Sequence, residues 1–390
     1  MKNKISKELI DFFKKKISLK SLSLHEPDLK KEEINSLKNC IITNSVSSIG
    51  KFIKKFENEI SKLTGAKYVV ATNSGTSALH VSCILMNVQE NTEVLVPSFT
   101  FVGTANAVKY CGAIPHFVDI EEEHFGINVE KLEIYLKKIT IKKKNICINK
   151  LTGRKITAIM PVHIFGHISK IEKIKKLAKK FNLTVIEDAA EALGSYYKKK
   201  HAGTFGDVGV LSFNGNKTIT CGSGGAILTN DKATAKRARH LISTAKVKHG
   251  YKYVHDQLGF NYRMPNLNAA LGYSQIKRIK EILRKKRKLF LFYKKNFDKN
   301  RFFKLVNEPE NSKSNFWLQT ILIDKKYSKS TKQVIKKLND SKIYVRPPWE
   351  LMTNLSYFKN CPRMDVSIAK KICERIINIP SSSFLVKNFK

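Results

Sequence analysis

The sequence predicts an α/β protein with a large domain built on a mostly parallel sheet and a smaller C-terminal α/β domain. Strand-length apolar runs alternate with helical patterns from about residue 60 onward, which is typical of βα units. After about residue 265, a long helical region precedes mixed strand and helix signals. We therefore place an N-terminal helical extension at 1–40, the large domain at 41–269 and the small domain at 270–390.

Seven runs of the large domain are predicted as strands because they are short, apolar and rich in β-branched residues. They are 67–72 (KYVVAT), 93–97 (EVLVP), 114–120 (IPHFVDI), 156–165 (ITAIMPVHIF), 183–189 (LTVIEDA), 208–213 (VGVLSF) and 225–230 (GAILTN).

Helical periodicity appears between these runs, at 77–88 and 170–181, and again over the long segment 266–298. The lysine-rich stretch 137–155 interrupts the alternation and is predicted as a hairpin. In the small domain, the run FWLQTILI at 316–323 gives a further strand signal. No internal repeat or low-complexity linker separates the two domains.

Composition excludes several classes of protein. Apolar residues make up 42% of the 390 residues, which is ordinary for a folded chain and argues against disorder. The longest apolar runs are strand-sized, so no membrane span is expected. The N-terminus is charged throughout and predicts an amphipathic helix, with Leu9, Phe12 and Phe13 facing inward, rather than a signal peptide. The seven cysteines form no CxxC pair, so we expect reduced thiols, a cytoplasmic protein and no metal site.

The net charge of +40 invites a nucleic-acid-binding interpretation. Lysine is spread along the whole chain, however, and the densest basic run, 277–304, mixes apolar and basic positions at helical spacing. That pattern favours an amphipathic helix with a solvated basic face, and no nucleic-acid motif accompanies it. A basic surface would also attract an anionic small substrate.

Polar and small residues follow five of the predicted strands. Parallel sheets bind ligands at the carboxyl ends of their strands, so one pocket could collect all five segments. They are NSGTS (73–77), SFTF (98–101), HIFGH (163–167), EDAAEA (187–192) and SFNGNK (212–217).

Each segment has an ordinary structural explanation beside a functional one. The segment 73–77 could cradle a phosphate at a helix N-terminus or simply cap that helix. Phe101 could stack on a flat ring, although core packing is the commoner fate of phenylalanine. His163 ends a buried strand, where a hydrogen-bonded core histidine is more frequent than a catalyst.

The two charged candidates are similarly ambiguous when each is taken alone. Asp188 closes an apolar strand, where a carboxylate is costly unless it is paired, and it could also cap the next helix. Lys217 lies among small residues and glycines, where a desolvated amine becomes a nucleophile towards carbonyls. The combination is less ambiguous, because a phosphate cradle, a stacking aromatic, a carboxylate and a reactive lysine are the requirements of a pyridoxal phosphate site.

The sequence resembles the DegT/DnrJ/EryC1/StrS sugar aminotransferases, which are fold type I pyridoxal phosphate enzymes. Matching motifs run in family order over residues 44–280, with weaker echoes such as VRPPW and INIPSS towards the end. They are FENEISKLTGAKYVVATNSGTSAL, EVLVPSFTFVGTANAV, GAIPHFVDI, VIEDAAEALGS, GDVGVLSFNGNKTITCGSGGAILTN and LGFNYRMPNLNAALG. Dehydratase relatives carry histidine where this chain has Lys217, so the resemblance implies a transaminase.

The resemblance also assigns roles in cofactor binding. Lys217 would bond the cofactor covalently and shuttle a proton, Asp188 would pair with the pyridinium nitrogen, and Phe101 would stack on the ring. Glu191 stands where many members have glutamine, near the ring's 3'-oxygen, and Asn261 would reach the phosphate from the partner subunit of a homodimer. The remaining phosphate contacts would be Gly75, Thr76 and Ser212.

The substrate is the least determined part of the resemblance. His163, Asn44, Arg346 and Trp349 are the predicted substrate contacts. Several segments resemble the enzymes that aminate C4 of a nucleotide-linked 4-keto-6-deoxy-N-acetylhexosamine, as in legionaminic acid or bacillosamine pathways, with L-glutamate as donor and UDP as the expected carrier. A perosamine-type 4-keto sugar or a 3-keto sugar remains the alternative, and the carrier could also be GDP.

Overall fold

The computed structural model describes residues 2–390, with side chains from Lys4 onward. Its α-helices are α1 (Lys2–Lys16), α2 (Lys31–Ile42), α3 (Lys51–Thr64), α4 (Gly75–Leu85), α5 (Val102–Tyr110), α6 (Val129–Ile139), α7 (Ile171–Phe181), α8 (Lys232–Ile242), α9 (Asn266–Lys277), α10 (Ile279–Phe297), α11 (Thr331–Asp340) and α12 (Ser367–Cys373).

The first eleven strands lie between residues 68 and 229. They are β1 (Tyr68–Thr72), β2 (Glu93–Pro97), β3 (Ile114–Val118), β4 (Thr140–Lys143), β5 (Ile146–Asn149), β6 (Lys155–Ile159), β7 (Thr184–Asp188), β8 (Tyr196–Tyr197), β9 (Lys200–His201), β10 (Val208–Ser212) and β11 (Gly225–Thr229). The other six are β12 (Lys246–Val247), β13 (Val254–His255), β14 (Phe303–Leu305), β15 (Ser312–Lys313), β16 (Gln319–Ile323) and β17 (Ile376–Ile379).

The central sheet has the order β1-β11-β10-β7-β6-β2-β3, with the hairpin β4–β5 joined to β6. The contacts from β10 to β3 are parallel, whereas β11 runs antiparallel to both β10 and β1. Because only β11 is reversed along this path, its first residue, Gly225, lies beside Thr72 and Ser212 at the ends of their strands. The mostly parallel sheet is confirmed, and so is the hairpin predicted within 137–155.

Helices cover both faces of the sheet and explain the continuous apolar runs of its strands. Strands β2, β10 and β11 are buried at every position, as expected for a sheet covered on both sides. Ser74 caps α4 by accepting a hydrogen bond from the Ser77 N–H at 3.0 Å. Asn182 ends α7 in the left-handed conformation, with φ of 55°, which asparagine tolerates better than most residues.

Two predicted elements differ from the structure. The run 156–165 forms a strand only as far as Ile159, because Pro161 lacks the backbone N–H that a ladder needs. Its last residues, Ile164–Gly166, form a 3₁₀ turn instead. The long helical segment 266–298 divides at Arg278 into α9 and α10.

The small domain surrounds the antiparallel sheet β14-β16-β17. Its core includes side chains from α1, namely Ile5, Leu9 and Phe13, which pack with Phe290 and Tyr293 of α10. The N-terminal helix thus contributes to the small-domain core, whereas α2 packs on α9.

Within residues 2–390, no helix combines the length and the apolar character needed to cross a bilayer. The seven cysteines are all free thiols.

Candidate active site

A cavity of about 310 Å³ opens at the carboxyl ends of β1, β2, β7 and β10, beside the start of β11. Its walls come from the loops that follow these strands, from the first turns of α4 and α5, and from two tryptophans, Trp317 and Trp349. The location is the one that the parallel sheet predicts for a ligand. Trp317 precedes β16, so the small domain closes one side of the cavity.

One end of the cavity is a close approach between the first turn of α4 and the end of β10. A Cβ atom on Gly75 would lie 2.8 Å from the Cβ and 3.0 Å from the Oγ of Ser212, so only glycine fits there. A Cβ on Gly225 would lie 2.4 Å from the Ser74 carbonyl oxygen. With Thr76 also facing the cavity, this cradle presents hydroxyl groups and a helix N-terminus, which suit a phosphate.

The floor of the cavity carries the Asp188 carboxylate, which is only 4% exposed. Its Oδ2 accepts a hydrogen bond from the Thr104 hydroxyl at 2.8 Å, and its Oδ1 accepts one from the Ala190 N–H at 3.1 Å. Burial raises the pKa of Asp188, while these two hydrogen bonds and the nearby Lys217 act in the opposite direction. A cationic donor in the cavity would stabilise this carboxylate, as a protonated pyridine nitrogen does.

The Lys217 side chain enters the same cavity and is 13% exposed. Its Nζ lies 3.3 Å from Oε1 of Glu191 and 3.9 Å from the ring centroid of Trp317. The Trp317 Nε1 donates to the Asn216 carbonyl at 2.6 Å, which fixes the indole beside the loop that carries the lysine. The amine is thus held between a carboxylate and an aromatic face.

Glu191 is only 4% exposed, and its Oε2 accepts a hydrogen bond from the Phe165 N–H at 2.8 Å. Burial raises the pKa of Glu191 from an ordinary 4.5 to about 7, and Lys217 offsets only part of this effect. Near neutral pH, the side chain therefore exchanges between a carboxylate and a neutral acid that can donate a proton.

Glu191→Gln is expected to remove a pH dependence of stability. Between pH 4.5 and about 7, the folded protein keeps a proton on Glu191 that the unfolded chain releases. The wild-type protein should therefore lose stability relative to Glu191→Gln as pH rises through this window, by on the order of 1–3 kcal/mol. Denaturant unfolding of the cofactor-free proteins at a series of pH values measures the difference.

Glu172→Gln provides the matched control, because Glu172 is exposed and paired with Lys198. Its pKa is lowered by that hydrogen bond, so its contribution should not change across the same window. A constant difference between the wild-type protein and Glu191→Gln would mean that Glu191 is ionised throughout.

The mouth of the cavity is aromatic. Phe101 is 50% exposed, and its ring centroid lies 6.3 Å from that of Trp349 in an edge-to-face arrangement. Its neighbour Phe99 is instead buried among other aromatic side chains. The SFTF segment therefore supplies one core residue and one residue that is free to contact a ligand.

The structure brings most of the sequence-predicted site residues together. Those that line the cavity are Gly75, Thr76, Phe101, Asp188, Glu191, Ser212, Lys217 and Trp349. The other predicted residues, Asn44, Asn261 and Arg346, are exposed and lie outside this lining.

The prediction that His163 lines the sugar pocket is wrong for this cavity, because the side chain is fully buried. Its Nδ1 accepts from the Ser169 N–H at 3.2 Å, so its Nε2 carries the hydrogen and donates to Glu187 Oε2 at 3.0 Å. Burial raises the pKa of Glu187, but His163 and the N–H groups of Gly203 and Gly206 outweigh this and lower it. His163 therefore belongs to a buried polar network beside the site.

Sequence reasoning missed several cavity residues. Asn214 and Asn216 lie within the quoted SFNGNK segment, and Thr104 lies one helical turn beyond Phe101, so attention to these neighbours could have found them. Trp317 gave no such signal, because it comes from a strand region that was expected only to fill the small domain.

The family profile described as "DegT/DnrJ/EryC1/StrS aminotransferase family" matches residues 27–388. The chain belongs to this family. The enzyme is a sugar aminotransferase, and pyridoxal phosphate is its cofactor. The residues present fit that group, since the cavity combines a glycine-dependent phosphate cradle, a buried carboxylate and a lysine amine.

Two curated relatives of this aminotransferase have names that indicate different nucleotide-linked sugars. It is 35% identical to "GDP-perosamine synthase" of Escherichia coli O157:H7, over 93% of this chain and 94% of that protein. It is 32% identical to "UDP-4-amino-4,6-dideoxy-N-acetyl-beta-L-altrosamine transaminase" of Campylobacter jejuni subsp. jejuni serotype O:23/36, over 83% of this chain and 81% of that protein.

Among solved structures, the aminotransferase is similar to Helicobacter pylori PseC, described as an aminotransferase involved in the biosynthesis of pseudoaminic acid. The TM-score is 0.83 at 26% identity, and the match covers 93% of this chain and 94% of that one. The fold type I architecture is therefore confirmed along with the family.

Proposed function

We propose that this enzyme transfers an amino group from L-glutamate to C4 of a nucleotide-linked 4-keto-6-deoxy sugar. The observation that carries the proposal is the convergence of the Lys217 amine, the Asp188 carboxylate and the Gly75–Ser212 cradle in one cavity. Its aromatic mouth suits a sugar ring or a cofactor ring. The basic surface of the protein, with a net charge of +40, favours an anionic substrate such as a sugar nucleotide.

Each part of the cofactor has a candidate binding group in the cavity. Gly75, Thr76 and Ser212 would hold the phosphate, Asp188 would accept a hydrogen bond from the protonated ring nitrogen, and Phe101 would contact the ring face. When bound, pyridoxal phosphate supplies an electron sink for charge on the carbon next to the transferred nitrogen.

Lys217 is the group that moves protons in this proposal. Its Nζ would take up a proton from the α-carbon of L-glutamate and deliver one to C4 of the acceptor sugar. Glu191, 3.3 Å from this amine, can hold or release a proton near neutral pH because its pKa is about 7. Trp317 covers the amine and keeps water from it.

Two acceptor classes compete within the proposal. The motif pattern favours a UDP-linked 4-keto-6-deoxy-N-acetylhexosamine, as in legionaminic acid or bacillosamine pathways. The longer match, at higher identity, to a protein named GDP-perosamine synthase favours a GDP-linked 4-keto-6-deoxyhexose. Both classes need the same C4 amination at Lys217 and differ in the carrier and in the C2 substituent.

A single set of spectra tests both the transamination mechanism and the choice of acceptor sugar. L-glutamate should convert the visible band of the lysine-bound cofactor to the shorter-wavelength amine form, and the correct keto sugar should restore the visible band. The panel would contain UDP-linked and GDP-linked 4-keto-6-deoxy sugars and a 3-keto sugar. Restoration by the 3-keto sugar alone would overturn C4 amination, and no glutamate response after reconstitution would overturn the mechanism.

We also propose that the active enzyme is a homodimer with shared sites, in the cytoplasm. The β12–β13 hairpin and the following loop expose large apolar side chains, with Tyr251 at 84%, Tyr253 at 82% and Leu258 at 81%. Such exposure is typical of surfaces that a partner covers. Asn261 follows this segment and is exposed outside its own cavity, in keeping with a role in the partner's site.

Mixing two inactive variants is expected to restore activity. In a hybrid dimer of Lys217→Ala with Asn261→Ala, one of the two sites combines an intact Lys217 with an intact Asn261 from the other subunit. Random reassortment should recover up to about a quarter of wild-type activity, measured as product formation after exchange of subunits.

The control mixture is Lys217→Ala with Asp188→Asn, whose changes lie in the same cavity. Every hybrid site then keeps one defect, so no activity should return. Failure of the first mixture to exceed the control would argue against a shared site.

A further inference from the structure

The approach of Trp317 to Lys217 depends on a strained turn. Phe316, the residue before the tryptophan, has φ of 48° although it is not glycine, and it is 1% exposed. A bulky residue in this region persists only where its surroundings hold it. The turn places the Trp317 ring centroid 3.9 Å from the Lys217 amine. The groups that hold the turn therefore control the surroundings of that amine.

One side of the turn is held by Asn315. Its Oδ1 accepts from the Trp317 N–H at 2.8 Å, and its Nδ2 donates to the carbonyls of Glu191 and Leu193 at 2.8 and 2.9 Å. The Asn315 side chain therefore links the turn to the loop that carries Glu191.

The other side of the turn is held by Lys286 of α10, which is 0% exposed. Its Nζ donates to the Trp317 carbonyl at 3.1 Å, to the Ser381 carbonyl at 2.8 Å and to His25 Nε2 at 3.1 Å. Three acceptors match the three N–H groups of an ammonium, and none of them is a carboxylate.

Burial of Lys286 is costly, and the site does little to offset that cost with charge. Desolvation lowers the pKa of Lys286 to about 7, and no carboxylate in residues 2–390 forms an ion pair with it. The preceding Lys285 shows the contrast, since it pairs with Asp28 and Glu281 at 2.9 and 2.7 Å. An apolar side chain would be cheaper to bury at position 286, so the three hydrogen bonds need an explanation other than stability.

We propose that Lys286 is a positioning residue, which fixes the Trp317 carbonyl and thereby holds the indole against the amine of Lys217. It does so from the meeting point of three segments: the N-terminal segment at His25, the turn before β16, and the segment after β17 at Ser381. The catalytic consequence rests on the proposed function, but the placement of Trp317 does not.

Trp317 can be observed directly because the chain has only two tryptophans. In a Trp349→Phe background, Trp317 is the sole indole, and acrylamide quenching of its fluorescence reports how well it is covered. Lys286→Met keeps the length of the side chain and removes all three donors, so we expect a several-fold rise in the quenching constant of the cofactor-free protein. Lys286→Gln keeps an N–H donor, so its quenching constant should lie between that of Lys286→Met and that of the protein that keeps Lys286.

Lys285→Met is the matched control, because it removes an ammonium from the neighbouring position of the same helix without touching Trp317. Circular dichroism melting confirms that each variant is folded. An unchanged quenching constant in folded Lys286→Met or Lys286→Gln, or an equal rise in Lys285→Met, would overturn the proposal.

A second readout links the placement to the active site. With Trp349 intact and pyridoxal phosphate bound, Lys286→Met should shift the pH at which the visible band of the Lys217-bound cofactor titrates, whereas Lys285→Met should leave it at the wild-type value. A purely structural role for Lys286 would lower the melting temperature and leave this titration unchanged, which would overturn the proposal. Absence of the band from the wild-type protein would refute the proposed function alone, because the quenching experiment needs no cofactor.

Discussion

Lys217→Arg is expected to abolish transamination while leaving the fold intact. Arginine keeps a positive charge beside Glu191 and Trp317, which lie 3.3 and 3.9 Å from the lysine Nζ. A guanidinium stays protonated at all accessible pH values, so it can neither bond the cofactor aldehyde nor accept a proton. We expect the visible cofactor band to be absent and kcat to fall by about 10³ or more.

The comparison that isolates the chemistry is Lys173→Arg, because Lys173 is exposed and paired with Glu130 at 2.6 Å. That change should leave both the spectrum and turnover at wild-type values. If Lys217→Arg kept a visible band that responds to L-glutamate, another amine would have to bond the cofactor.

The large domain could be predicted because its buried strands are short apolar runs that end in polar residues. Strand β7, for example, was predicted at 183–189 and forms at Thr184–Asp188. The prediction failed at Pro161, where hydropathy continues but the backbone cannot pair. A hydropathy pattern does not show that proline lacks a backbone N–H, so the predicted strand should have been ended before Pro161 on the basis of residue type.

The site was predictable to the extent that it follows from strand order. Asp188 is the last residue of β7, Gly75 and Lys217 come shortly after β1 and β10, and the sheet brings these strand ends to one edge. Trp317 approaches from the small domain, more than one hundred residues further along the chain than Asn216, to which it donates. Only the packing of the two domains brings these residues together, and no local pattern in the sequence encodes it.

His163 shows the limit of the strand-end argument. The chain at Val162 still reaches the edge of the sheet, where it bridges to Asp188 at the cavity floor. The next side chain, that of His163, does not face the cavity but points to Glu187, the neighbour of the cavity carboxylate. Successive residues at a strand end face opposite sides, so Asp188 meets the cavity while Glu187 and His163 pair beneath it.

Asp188→Asn should separate activity from stability more clearly than any other change in the cavity. The amide cannot stabilise a protonated ring nitrogen as a carboxylate does, so kcat should fall by about 10²–10³, the size of effect that follows loss of one preorganised electrostatic contact. Cofactor binding should weaken less, because the cradle at Gly75 and Ser212 and the amine of Lys217 remain. Single-turnover absorbance changes with L-glutamate measure the first effect, and equilibrium dialysis of the cofactor measures the second.

The stability of cofactor-free Asp188→Asn should not fall as pH rises above the ordinary range of an aspartate pKa, and this makes the physical origin of the site testable. Burial raises the pKa of Asp188, so the wild-type protein loses stability as pH rises through that value, whereas the neutral amide does not. The asparagine can still accept from Ala190 and meet the Thr104 hydroxyl, which rotates to suit it. A variant that is inactive yet at least as stable as the wild-type protein would show that the carboxylate is kept for its ligand at a cost to the empty fold. A large loss of stability at every pH would instead mean that Asp188 is a structural anchor for Thr104 and α5.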